Sequence, residues 1–215
     1  MTTFLQATND VLIRLRENQV STVTETVYST LIGKYINDAK RQCEDAWNWD
    51  ALSTTVTLAI VAGTTTYTVT GSGIRQRDVT VNNVTSQHRV ANVPISWIID
   101  QQQLSTVQSG QPTYYAWNGT DGTDSRVEIY PTPDSNYSLK FNMVVPQIAL
   151  SADADIITIP SEPVVAGAVA RALVERGEDG GLSSSEAYSL FKTILSDYIS
   201  LEKERFTEYD VFEAV

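Results

Sequence analysis

One cysteine and one histidine in 215 residues leave little material for catalysis or cross-linking. Cys43 alone cannot build an intramolecular disulfide framework, so no oxidising compartment is required. His88 stands far from it, and neither nucleophile–base pairs nor metal-ligand spacings fall between them. Gly71-Ser72-Gly73 is followed by Ile74, with no second spaced glycine and no lysine to cradle a phosphate. No apolar run approaches the roughly eighteen residues of a membrane span. Residues 1–6 lack both a basic start and an unbroken apolar stretch, so no signal peptide is expected. The sequence therefore predicts no enzyme, no cofactor, no metal and no membrane partner.

Positive charge is scarce too. With 15 Lys and Arg against 26 Asp and Glu, the net charge is −11, which disfavours a grip on nucleic acid. Net charges of −2, −1 and −8 for residues 1–50, 51–150 and 151–215 place the acidity in the last third. That excess reads either as a solvated helix face or as an acidic surface meeting a basic partner. Hydrophobic residues at 42% and charged residues at 19% are ordinary for a globular chain.

Helical periodicity occupies both ends. Thr3 and Gln6 have the form of a capping box, ahead of Phe4, Leu5, Val11, Leu12 and Leu15 on one face of a helix ending near Asn18. A second helix from about Thr24 carries Tyr28, Leu31, Ile32, Tyr35, Ile36, Ala39 and Cys43 on one stripe. The short polar link at 19–23 predicts an antiparallel hairpin. At the far end Ser161 is the expected N-cap of a helix over 164–176, stopped by Gly177 or by Gly180-Gly181. Ala166, Gly167, Ala168, Ala170 and Ala172 are small, and a helix-interior glycine costs about 1 kcal/mol relative to alanine. Close helix packing at Gly167 explains it. Ala187, Leu190, Phe191, Ile194, Leu195, Tyr198 and Leu201 then mark an amphipathic helix to about Arg205.

Between the ends, threonine, valine and tyrosine alternate. Residues 54–61 read as a strand, with 67–69 as its hairpin partner, and another strand follows around 78–81. Pro94 opens a short helix to Asp100, and 112–117, 126–130 and 137–144 read as three strands of an antiparallel meander. Residues 156–159 are expected to close this sheet, and His88 to lie in an exposed polar loop. Trp47 and Trp49 stand at the joint between helix and strand, where each would bury on the order of 200 Å². The predicted fold is α+β: terminal helix hairpins (1–50 and 160–206) form a four-helix layer. An antiparallel β-sandwich or meander (51–159) is inserted between them, and a docking tail occupies 207–215.

The order of these pieces carries a resemblance. A helix pair closes on Asp45-Ala46-Trp47-Asn48-Trp49 and leads into Gly63-Thr64-Thr65-Thr66-Tyr67-Thr68-Val69. Gly110-Gln111-Pro112-Thr113-Tyr114-Tyr115 follows, then Val127-Glu128-Ile129-Tyr130-Pro131-Thr132-Pro133-Asp134 and a helical C-terminus. Over nearly its whole length the chain resembles the head-to-tail adaptors of short-tailed bacteriophages, the tail-tubular-protein-A kind. The resemblance implies a structural virion protein made in the host cytoplasm and placed at the portal–tail junction. It further implies a homo-oligomeric ring of twelve subunits, whose helical part grips the portal protein and whose β part faces the tail nozzle protein. Genome ejection would pass DNA through the ring without sequence-specific contact, and acidic walls would repel its phosphates.

The last ten residues interleave acids with Phe206, Tyr209 and Phe212, large anchors that suit docking on the portal or a neighbouring subunit. An alternative function uses Tyr114, Tyr115, Trp117 and Tyr130 as an aromatic sheet face in a carbohydrate- or protein-binding module. Alternation places Tyr115 and Trp117 on one face and Tyr114 on the other, so at most part of the group is co-planar. Residues 118–125 offer oxygen ligands without the spacing of a calcium loop, and a Gly/Asp-rich hairpin turn accounts for them.

Overall fold

A computed structural model of the chain describes residues 2–104, 106–177 and 182–205. Along these run α1 (Phe4–Arg14), α2 (Val27–Ala46), β1 (Ser53–Ile60), β2 (Thr66–Thr68), β3 (Arg77–Asn83), β4 (His88–Asn92) and α3 (Ile95–Gln102). They are followed by β5 (Ser109–Gly110), β6 (Tyr114–Thr120), β7 (Ser125–Tyr130), β8 (Thr132–Pro133), β9 (Tyr137–Val144), α4 (Ser161–Arg176) and α5 (Leu182–Lys203). The chain divides into two compact units, Leu52–Pro146 and a helical unit made of Met1–Ala51 with Gln147–Val215.

In the helical unit, the Thr3–Gln6 capping box forms in both directions and α1 buries Phe4, Ala7, Val11 and Leu12. The helix stops at Arg14, short of Asn18, because Arg16 takes a left-handed φ of 60°. Thr26 caps α2 through a reciprocal bond with Ser29, two residues beyond the expected start. Ile32, Ile36, Ala39 and Cys43 of α2 are fully buried. In α4, Ser161 is the first helical residue and not the cap; that position falls to Pro160, and the Ser161 hydroxyl instead shares a 2.8 Å hydrogen bond with Thr2. Gly177, at φ 64°, ends the helix in the left-handed conformation that favours glycine.

Helix α4 packs against α1, α2 and α5. Its small side chains permit this. A Cβ added at Gly167 would lie 3.0 Å from Phe191 Cε2 of α5 and 3.1 Å from Ala39 Cβ of α2. At its C-terminus Arg176 ties three helix ends together. Its guanidinium donates to the Tyr28 hydroxyl (2.8 Å), the Leu15 carbonyl (3.2 Å) and the Glu17 carboxylate (2.6 Å).

Residues 147–159 also belong to this unit. Lys40, 2% exposed in its side chain, donates to Glu44 Oε1 (3.0 Å) and to the carbonyls of Gln147 (2.9 Å) and Ile148 (3.0 Å). Glu44 Oε1 accepts the Gln147 amide at 3.2 Å, and Asn37 brackets Leu150 with two further bonds. Ionised groups are tolerated in an interior when paired and hydrogen-bonded, and here they hold a strandless segment onto α2. Ile156 bridges to Thr3, so the stretch expected to close the sheet pairs instead with the start of α1.

In the other unit seven strands form one curled sheet in the order β1-β9-β3-β4-β6-β7-β2. The expected hairpin between residues 54–61 and 67–69 does not form. β1 pairs along all eight residues with β9, from Ser53↔Val144 to Ile60↔Tyr137, while β2 pairs with β7. An eight-residue alternating strand needs a partner of its own length, and β2 offers only three residues. The expected meander is likewise replaced, because β9 leaves β7 for β1 and β3, and β4 runs parallel to β6. His88 lies in β4 and not in a loop; its Nε2 is 2.9 Å from the Pro112 carbonyl, which requires the proton on that nitrogen. The core gathers Ile60, Val69, Val81, Val90, Tyr115, Val127, Ile129, Leu139, Phe141 and Met143, drawn from across the sheet. Helix α3, entered at Pro94 as expected, covers the opposite face of β6 and β7, its Ile98 clustering with Ala116 of β6 and Tyr130 of β7.

The contacts at Gly167 give a direct expectation. Gly167→Leu should lower stability by about 1–3 kcal/mol through overpacking, read as a drop in melting temperature. An unchanged melt would mean that α4 does not approach its neighbours this closely.

Candidate docking surfaces

Trp49 is 1% exposed, and its indole Nε1 donates to the Cys43 carbonyl at 2.8 Å, closing the C-terminal end of α2. Trp47 is the extended C-cap of that helix and is half-buried. Cys43 beneath is fully buried, and desolvation pushes its thiol up to about 12. It stays a neutral core group at physiological pH.

Next to Trp49 the helical unit carries an open cleft of about 590 Å³, lined among others by Asp50, Ser161, Glu162, Tyr198, Glu202 and Arg205. Three carboxylates face one guanidinium there. Tyr198 donates its hydroxyl to Glu162 Oε2 at 2.7 Å, which raises the phenol above its usual range. Glu202, 7% exposed, accepts the Asp50 amide at 3.0 Å and the Arg205 guanidinium at 3.3 Å. The cleft's negative excess suits a cationic group brought by another molecule.

A second surface lies along α5. Phe191 and Leu195 face inward, yet Leu190 and Leu201 are 59% and 58% exposed. With Ile194 and Asp197 they fall at i, i+4, i+7 and i+11, one stripe of the helix. The sequence period assigned Leu190 and Leu201 to the buried side; in the structure both stay largely exposed. Phe206, Tyr209 and Phe212, the expected docking anchors, lie outside the described residues. Gly167 is buried within the helical unit, at the crossing described above.

The alternative aromatic platform comes apart. Tyr115 and Tyr130 are 1% and 2% exposed, and Trp117 packs on Phe141 in the core. Tyr114 stays at the surface, tilted against Trp97 with ring centroids 4.8 Å apart. In the 118–125 turn Asp121 accepts the amides of Thr123 (2.9 Å) and Asp124 (2.8 Å), which hold its carboxyl below the usual range. Asp124 accepts those of Gly71 (3.0 Å) and Gly73 (2.9 Å). Both carboxylates thus serve the turn. Lys40 and Glu44 were the buried groups least legible in sequence, and only their i, i+4 spacing on the stripe of Ile36 hints at them.

Trp49→Ala should cost about 3–5 kcal/mol and Trp47→Ala less, in keeping with their burial, as read by urea denaturation. Equal costs would mean that both rings are core.

A family model described as SU10 adaptor protein matches residues 2–210. No curated protein matches the chain. None of the described helices is long and apolar enough to cross a membrane. The match spans both units, and the chain belongs to the SU10 adaptor protein family, a family of phage head-to-tail adaptors.

Proposed function

We propose that the chain is a structural virion protein that assembles into a ring of about twelve subunits joining the portal to the tail nozzle and lining the DNA exit conduit. The observation that carries this reading is the family match across residues 2–210. A four-helix layer of α1, α2, α4 and α5 is the portion assigned to the portal, and the β unit the portion assigned to the nozzle. Trp47 and Trp49 serve as the joint between them. The proposed grip on the portal combines the acidic cleft at Glu162 and Glu202 with the Leu190–Leu201 stripe, while the tail anchors Phe206, Tyr209 and Phe212 dock on the portal or a neighbouring subunit and hold the grip together. Basic side chains of the partner would enter the first, and apolar ones would cover the second. Net negative charge in the last third of the chain favours DNA sliding past rather than sticking, since phosphates are repelled.

Deletion of residues 207–215 tests the grip. The truncated protein should keep a melting temperature close to that of the full chain and lose most of its co-sedimentation with purified portal rings. Equal portal binding by the two proteins would remove the tail from the mechanism.

A further inference from the structure

Residues 51–74 contain no Asp, Glu, Lys or Arg, although 19% of the chain is charged. This uncharged run includes β1, which is one edge of the seven-stranded sheet. Edge strands normally defend themselves with charge, proline, a bulge or brevity. β1 has none of these: it is eight residues long, and its register with β9 is unbroken. On its outer side its backbone groups meet no hydrogen-bond partner among the described residues.

The core is also incomplete at this edge. Across the β1–β9 ladder, Thr54, Val56 and Leu58 stand opposite Met143, Phe141 and Leu139. The β9 residues are at most 3% exposed, whereas those three of β1 are only half-buried. On the outer face Thr57 stands opposite Lys140, whose side chain is exposed. An added strand that fits would bring β-branched or aromatic residues to one face and acids to the other.

The end of the chain has that pattern. In Phe206-Thr207-Glu208-Tyr209-Asp210-Val211-Phe212, the alternate residues Thr207, Tyr209 and Val211 are strand formers, and Glu208 and Asp210 lie between them. Glycine, proline and basic residues are absent from residues 206–215. At about 3.3 Å per residue the segment is long enough to run the length of β1. We infer that β1 accepts the C-terminal segment of a neighbouring copy as an added strand. Tyr209 and Val211 cover Val56 and Leu58, and Glu208 and Asp210 lie on the side of Lys140. The inference rests on the ring reading: one copy's tail on the next copy's edge is a head-to-tail contact, which repeats around a closed ring.

Hydrogen exchange of the full-length chain tests it, with mass spectrometry of the peptide covering residues 53–60 in dilute solution, at high concentration and on the portal. Assembly should slow exchange in β1 on the order of tenfold or more, and Val211→Pro, which removes a ladder donor, should abolish the slowing. In parallel, the double variant Thr57→Cys with Asp210→Cys, which places both thiols on the outer face, should give a ladder of covalent multimers on oxidation. Assembly that leaves β1 exchange unchanged, or a disulfide confined within single chains, overturns the inference while the ring stands. Slowing in oligomers of the chain alone, with no portal binding, keeps the inference and removes the portal reading. A chain that never assembles removes both.

Discussion

The close approach of α4 at Gly167 is the constraint on which the helical unit depends. Its two halves are separated in sequence by the whole β unit, so they must find each other through contacts of high specificity. A helix with side chains of ordinary size at 166–172 could not touch α2 and α5 at once. The small residues make α4 a poor amphipathic helix and a good centre. The Lys40–Glu44 pair adds a polar fastening beside this apolar one, because α2 presents Ala39 to α4 and Lys40 to the returning segment. Alternation of the two contacts along a single helix fixes the register of everything that follows residue 147.

Much of this was legible in the residues. Helix existence, the Thr3–Gln6 box, the short helix after Pro94 and the buried Cys43 all follow from local pattern, which short-range chemistry decides. Strand pairing does not. Residues 66–68 look like the natural partner of β1 by proximity, yet the long match with β9 buries more and leaves β2 to β7. β4 was missed because His88, Arg89 and Asn92 hide a strand whose inward residue is Val90, 2% exposed. The stretch 156–159 reads as a strand by composition; its partner, the start of α1, could not be inferred from spacing.

The candidate site was partly legible. The glycine in α4 announced close packing because nothing else explains a glycine there. The exposed Leu190 and Leu201 were misassigned, since periodicity reports which residues are apolar and not which of two apolar faces is covered. The acidic cleft joins Asp50, Glu162 and Glu202 from three distant parts of the chain, and only the fold brings them together. Adaptor proteins act through surfaces, and surfaces assembled from several segments leave little trace in linear order. The aromatic residues of β6 and β7 illustrate the converse: a dense aromatic sequence became a core and a small surface pair, not a platform.

Under the proposed function, many copies of this chain form one defined ring on a portal. Native mass spectrometry of the full-length protein mixed with purified portal measures it most directly. One dominant species is expected, a portal ring carrying a fixed complement of about twelve copies, with few partly filled intermediates. A broad distribution of portal rings carrying one, two or three independent copies, or portal rings carrying none, would contradict it.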